Sequence, residues 1–396
     1  MLGGGYFDKL LSMQIFRGLE QWGRERLLVA LTRLMPTQEI SARQVGDSLR
    51  QNPNPRILLI GIFQHMGQFL CATPLIRSFK VAWPTGSLHF LGNPANVSAA
   101  QLNPHLDHVW EWKRSALWEW PGQIQKLKHE KFDLALLLTT ERPSATGVLL
   151  ARAIGAKWVA GYVPSTPGAW AEDAMALCQI RIPFGGERNE VEKYLGFARA
   201  FGVQSQDRQP ELVPTSEDDA AADAFLSAQK FSEKGPLVGI FIGGKAERTD
   251  RLWPVSHFAV LANTLKGTGF RVIVLSPPPP HGSAARSFHS EEHLRLKEFR
   301  RLVTWDCPVF QETSLGCVGA FLKRLQLLVC PDGGILHLAA SVGTPTLGLF
   351  FSTDPEVWRH DLKQTFLDGR GKPSDQMRPE TVENEVFRFL GVSAPS

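Results

Sequence analysis

The sequence predicts an α/β protein in two domains, each built on a parallel sheet with helices on both faces. Three observations predict it. Short apolar runs rich in Leu, Ile and Val alternate with stretches of helical periodicity in both halves of the chain. The strongest of these runs end in turns that lead straight into a helix, after Phe63, Ile242 and Cys330. Between the halves lies a polar stretch, residues 206–235, with Pro210, Pro214 and Pro236 around it, which reads as a linker carrying one helix over Glu217 to Gln229. At 396 residues the chain has room for two cores.

Residues 1–55 precede the first strand and read as an N-terminal extension. Tyr6, Phe7, Leu10, Leu11, Ile15, Leu19 and Trp22 fall near one helical face, and Leu27 to Leu34 prolong it. Lys9, Arg17, Arg24, Arg26 and Arg33 make that helix basic, and Pro36 ends it. Such a helix over residues 5–35 either lies in the headgroup region of an anionic leaflet or packs on the protein.

The first domain spans 56–205. Arg56 to Phe63 is its clearest strand, and Gln64-His65-Met66-Gly67-Gln68 turns into a helix carrying Phe69, Leu70, Leu75, Ile76 and Phe79. Strands follow at Ser87 to Leu91, Val109 to Trp112, Asp133 to Leu138 and Lys157 to Gly161, with helices over Leu117 to Leu127 and Val148 to Ile154 between them. Asn189 to Gly202 is a helix in which Glu190 and Lys193 are candidates to face a cleft.

The second domain spans 236–375. Leu237 to Ile242 is a strand, and Gly243-Gly244-Lys245 after it would offer backbone amides and a charge to a diphosphate. Arg271 to Leu275 is the next strand and runs into Pro277 to Pro280; 281–300 reads as a solvated, charged helix. Leu325 to Cys330 is short and apolar, as a buried parallel strand should be. Pro331-Asp332-Gly333-Gly334 is turn chemistry, Ile335, Leu338, Ala339 and Val342 recur at helical spacing, and Gly343-Thr344-Pro345 closes the helix before a strand from Thr346. That helix starts with unpaired N–H groups and the positive end of its dipole, so it suits phosphate. Asp332 supplies a carboxylate at the carboxyl end of a strand, and His337 sits one turn into the helix; the alternative is that Asp332 only caps the helix and His337 packs against it. A closing helix and tail, 376–396, ends the chain, with Pro379 to Leu390 helical.

The run PDGGILHLAASVGTP, 331–345, followed by Phe350-Phe351-Ser352-Thr353-Asp354-Pro355, resembles the D-S-G-x-x-H-L-A-A-x-x-G-T-P and G-x-T-D-P signature of the family 9 glycosyltransferases. Arg251-Leu252-Trp253-Pro254, with His257-Phe258, resembles the family's K/R-x-W-P-x-x-H/Y-F/W motif, and Gly67 to Lys80 with Pro74 resembles its G-D-x-x-x-x-x-P-x-x-x-x-x-K opening. The resemblance covers roughly 56–390. It implies a GT-B fold, two Rossmann-like domains facing across a cleft, and inverting transfer of a heptose-like sugar from ADP-heptose to a lipopolysaccharide core or related lipid-linked glycan. It implies no cofactor beyond the nucleotide-sugar donor and no bound metal, there being no Asp-x-Asp pair at a strand end. The closing helix would cross the domain junction.

Donor-binding residues would be Gly243, Gly244, Lys245, Arg251, Asp332, Gly333, Gly334 and His337, with Arg251 neutralising the leaving diphosphate. Two departures from the family pattern bear on chemistry. The family's base aspartate is Gln68 here, and an amide cannot take a proton near neutral pH. His65 and Glu141 are the substitutes in plausible places. The acidic residue that the family carries after the strand at 271–275 is missing from Pro277 to Pro280, which leaves the donor open. The rival reading is a non-catalytic relative that binds a nucleotide sugar and acts as a scaffold. An epimerase or dehydrogenase would need a G-x-G-x-x-G turn after the first strand, and this chain lacks it.

Composition fits a soluble protein, with 43% hydrophobic and 21% charged residues. A net charge of +4 and pI near 8.8 suit an anionic small molecule or membrane surface, and no basic stripe marks a nucleic-acid binder. Five scattered cysteines with no C-x-x-C pair read as reduced thiols, implying neither a disulfide framework nor a zinc site. With neither a secretory signal nor a spanning segment, the expected compartment is the cytoplasm.

Overall fold

Two six-stranded sheets, with every neighbouring pair of strands parallel, carry the chain in a computed structural model. The structure describes residues 37–62, 65–113, 115–140, 144–163, 174–205, 207–243, 251–277, 289–360 and 363–392. The first sheet contains β1 (Arg56–Gly61), β2 (Ser87–Gly92), β3 (His108–Glu111), β4 (Leu134–Leu137), β5 (Trp158–Val163) and β6 (Ile180–Pro183), in the order β3-β2-β1-β4-β5-β6. The second contains β7 (Leu237–Phe241), β8 (Arg271–Leu275), β9 (Val309–Phe310), β10 (Leu327–Pro331), β11 (Thr346–Phe350) and β12 (Gln364–Asp368), in the order β12-β11-β10-β7-β8-β9.

The two orders are the same doubly wound, Rossmann-like pattern. In each domain the chain starts mid-sheet, builds to one edge, then returns to the other side of its first strand. The helices that follow β1 and β4, or β7 and β10, therefore leave on opposite faces, and a crevice opens beyond the carboxyl ends of that pair. The two pairs locate the ligand sites before any side chain is considered.

Strands near the sheet centres are apolar because helices cover both faces: every residue of β4, β10 and β11 is buried, and β1 is exposed only at Arg56. The strands without a counterpart in the sequence reading, β6, β9 and β12, are all sheet edges. They are short or polar and are stabilised by pairing to one neighbour, so they carry no apolar run to read.

After β1 comes α1 (Met66–Ala82), with Pro74 inside it. A proline there has no N–H for the Leu70 carbonyl, and the Thr73 hydroxyl donates to that carbonyl instead, at 2.7 Å. The helix continues without losing a buried hydrogen bond. It packs on α2 (Glu190–Ala200) and on α3 (Gly334–Ser341), the helix after β10. One apolar cluster consequently runs through both domains, from Leu70, Cys71 and Leu75 to Leu212, Leu336, Leu338 and Ala339.

Three boundaries differ from the sequence reading. The helix Ala42–Gln51, inside the expected extension, buries Val45 and Leu49 in that cluster, and its Gly46 lies against the Phe201 carbonyl, where a Cβ would come within 2.1 Å. It belongs to the first domain; residues 1–36, and with them the amphipathic stretch 5–35, lie outside the described residues. The linker's helix, Ser216–Ala228, packs on Leu315–Leu322, and Arg324 pairs with Asp219 and Asp223, so this part belongs to the second domain. The last helix, Pro379–Leu390, buries Val382, Val386 and Phe387 with Phe258, Leu261 and Phe270 of the second domain, so its core contacts do not span the junction. Among the described residues no helix is long and apolar enough to cross a membrane.

His89 on β2 gives the first domain a pH signature. Its Nδ1 accepts from the Trp110 indole at 3.1 Å and its Nε2 lies 2.8 Å from the Ser87 hydroxyl, so a second ring proton would oppose the indole N–H. Burial, then the neighbouring His108 and Arg56, hold its pKa down from the ordinary 6.5 to about 4. The unfolded chain therefore binds this proton before the folded one. Stability from His89 should be complete above pH 6.5 and be lost as pH falls towards 4. Urea midpoints across that range should fall less steeply for His89→Asn than for the wild type; equal slopes would contradict the assignment.

Candidate functional site

The turns beyond β1, β4, β7 and β10 collect the residues singled out in the sequence. His65 and Gln68 follow β1, Gly243 follows β7, and Asp332, Gly333 and Gly334 follow β10. Glu141 after β4, and Gly244 and Lys245 after β7, lie outside the described residues.

Asp332 is the centre of the second domain's turn. Its side chain is only 4% exposed, and its Oδ2 accepts from the Thr353 hydroxyl at 2.6 Å and from Arg251 Nη1 at 3.3 Å. A buried carboxylate held by a cation and a hydroxyl fixes both partners in place, because removing either would leave charge in a dry site. Arg251 keeps about a quarter of its side chain in contact with solvent. The rest of its motif is anchor: Trp253 is fully buried with its indole donating to the Met377 carbonyl at 2.8 Å, and Phe258 is buried against it.

Beside this group, α3 begins at Gly334 without a side-chain cap at its N-terminus and without an acidic residue in its first turn. Its leading N–H groups and dipole are thus available to an anion. Among the described residues a Cβ on Gly333 would meet nothing within 4 Å, so the turn is open to them on that side. On the other side, Gly334 faces the Met66 methyl at the start of α1, across the domain junction.

His337 takes a different place from the donor-contact role read from its position. It is buried at 4% exposure in the junction, with Nδ1 2.8 Å from His360 Nε2 and 3.8 Å from Cys71 Sγ. Gly67 of α1 lies so close that a Cβ there would come within 2.5 Å of the His337 ring. The imidazole therefore packs domain against domain. Burial lowers the pKa of both histidines and raises that of the Cys71 thiol, so all three are neutral.

On the first domain's side, His65 is exposed at the N-cap of α1, and the Gln68 amide oxygen accepts the His65 backbone N–H at 3.0 Å. Gln68 is thus part of a helix cap. Glu190 and Lys193, read as cleft candidates, are buried and paired with each other at 2.9 Å, and Thr140 at the end of β4 donates to Glu190 at 2.7 Å.

Three residues of the site went unassigned in the sequence. Thr353 stood inside the quoted T-D-P motif, which was the available signal. Arg295 sits in a stretch read as solvated, yet it donates to the carbonyls of Ile242 and Trp253 and holds the β7 turn against the Arg251 segment. Leu296 and Phe299 on the same helix are buried. His360 lies in a loop with no pattern around it.

Two doubly wound domains with facing switch points define the GT-B class of glycosyltransferase fold, and the comparisons agree. Solved structures that share it include a family 9 glycosyl transferase from Veillonella parvula, at TM-score 0.71 and 17% identity over 85% of this chain and 97% of that one. Another is E. coli heptosyltransferase WaaC with ADP, at TM-score 0.66 and 17% identity over 84% and 99%. By sequence the chain is 25% identical over 343 residues to the lipopolysaccharide core heptosyltransferase OpsX of Haemophilus influenzae, covering 82% of this chain and 89% of the relative. The family model for glycosyltransferase family 9 (heptosyltransferase) matches residues 123–372, and this chain belongs to that family.

Thr353→Val keeps the volume and deletes the hydroxyl that serves Asp332. It should destabilise the protein by roughly 1.5–3 kcal/mol, the range for a buried hydrogen bond to a charged group. An unchanged denaturation midpoint would show that Asp332 does not depend on it.

Proposed function

We propose that the protein transfers a heptose-like sugar, with inversion, from a nucleoside-diphosphate donor of the ADP-heptose type to a hydroxyl of the lipopolysaccharide core or a related lipid-linked glycan. The observation that carries this reading is the Arg251–Asp332–Thr353 group beside the uncapped start of α3, at the switch point of the second sheet. It joins family membership to a built anion site. The names of OpsX and of the WaaC complex with ADP point the same way for those proteins.

In this reading the diphosphate lies against the leading amides of α3 and the β7 turn at Gly243, with Gly244 and Lys245 following in sequence. Arg251 meets the charge that develops as the glycosidic bond to phosphate breaks, and Asp332 holds Arg251 in position. The acceptor approaches from the first domain, where His65 stands at the edge of the cleft as the described residue able to take its proton. Residues 5–35 would hold the enzyme on the cytoplasmic face of the inner membrane, near a lipid-anchored acceptor.

A second reading, a nucleotide-sugar-binding scaffold, is favoured by Gln68, whose amide serves the helix cap instead of a base. Product assays with ADP-heptose and a lipopolysaccharide-core acceptor separate the two. Turnover is expected, falling about a hundredfold to a thousandfold in kcat for Arg251→Ala, and about a hundredfold to ten-thousandfold for His65→Ala. Tight donor binding with no product would establish the scaffold; unchanged kinetics in Arg251→Ala would overturn the site.

A further inference from the structure

We propose that Cys71, His337 and His360 form a buried Zn2+ site that joins the two domains. Each offers one ligand atom, and the three atoms lie within 4.8 Å of one another. Cys71 comes from α1 of the first domain, and both histidines come from the second, His337 from α3 and His360 from the loop after Pro355–Trp358. The inference is independent of the glycosyl-transfer reading. It also departs from the sequence reading, in which the scattered cysteines implied no zinc site and the lack of an Asp-x-Asp pair implied no metal at the diphosphate.

Two of the three separations come close to what the ion needs, and the third lies within 4.8 Å. With Zn–N of 2.0–2.1 Å and Zn–S of 2.3 Å, a tetrahedron puts two nitrogens about 3.3 Å apart and nitrogen and sulfur about 3.6 Å apart. Here the nitrogens are 2.8 Å apart, and sulfur to His337 Nδ1 is 3.8 Å. Opening the first separation by about half an ångström, with the sulfur moving inward until it stands about 3.6 Å from both nitrogens, gives a coordination face. Thiolate and imidazole are the donors this ion takes.

Without an ion the three groups compete. His337 Nδ1 is the shared neighbour of both the Cys71 thiol and His360 Nε2, and one nitrogen with one proton or one lone pair cannot serve both well. An ion accepting a lone pair from each removes the conflict. Zn2+ with one thiolate would leave a single positive charge at the junction. Three protein donors leave the fourth corner to a water. The ion would fix α1 to α3, and so the spacing between the two switch points.

The test uses the full chain, prepared under reducing conditions, freed of metal with a chelator and titrated with Co2+ and then Zn2+. Cys317→Ser serves as background, since Cys317 is the least buried of the described thiols. One equivalent of Co2+ should bind with the thiolate charge-transfer band and the visible bands of a tetrahedral site, and Zn2+ should displace it. Cys71→Ala and His360→Ala should each lose that spectrum and lower Zn2+ affinity at least tenfold to a hundredfold, while Cys178→Ala keeps both. Should His360→Ala fail to fold, the wild-type spectrum and Cys71→Ala decide. No stoichiometric binding, a spectrum without thiolate ligation, or a spectrum that survives in Cys71→Ala would overturn the proposal.

Discussion

The contact of α1 with α3, glycine backbone against imidazole, sets how the two sheets face each other. Gly67 admits the His337 ring, Met66 covers Gly334, and a shared apolar cluster continues from there through both domains. Helices that begin at sheet switch points are normally where ligands meet a doubly wound domain. Here two such beginnings are packed against each other, so the first domain's switch point is held beside the second's. The residues around that contact are buried without being inert: Cys71, His337 and His360 put polar atoms where apolar packing alone would be simpler.

The division of labour within motifs follows from this. In the segment 251–258, Trp253 and Phe258 are core and Arg251 alone turns to Asp332. In 331–345 the same split appears, with Asp332 and the uncapped helix start at the sheet's switch point and His337 in the domain junction. A motif groups neighbours that do different work, and the fold separates those at the switch point from those that seat them. Arg295 shows the converse, a residue in no quoted motif that braces two site segments through backbone carbonyls.

Much of the fold was legible because central parallel strands must be apolar on both faces. Arg271–Leu275 and Pro379–Leu390 match the sequence reading, and the other central strands differ by a residue or two at their ends. Three of the four edge strands escaped; β12, with Gln364, Thr365 and Asp368, has no apolar signature. Of the site, the position of Asp332 and Arg251 was legible through turn chemistry and resemblance. The direction of His337 was not, since a residue one turn past a helix start can face either the cleft or the neighbouring domain, and Gly67 decides which.

The account stands on the second domain's switch point receiving a diphosphate. Hydrogen exchange of the full chain with and without ADP measures this directly. Protection is expected at the amides of 333–337 and at Gly243, with little change along β3 or β6. Protection confined to other segments, or none at saturating ADP, would contradict it.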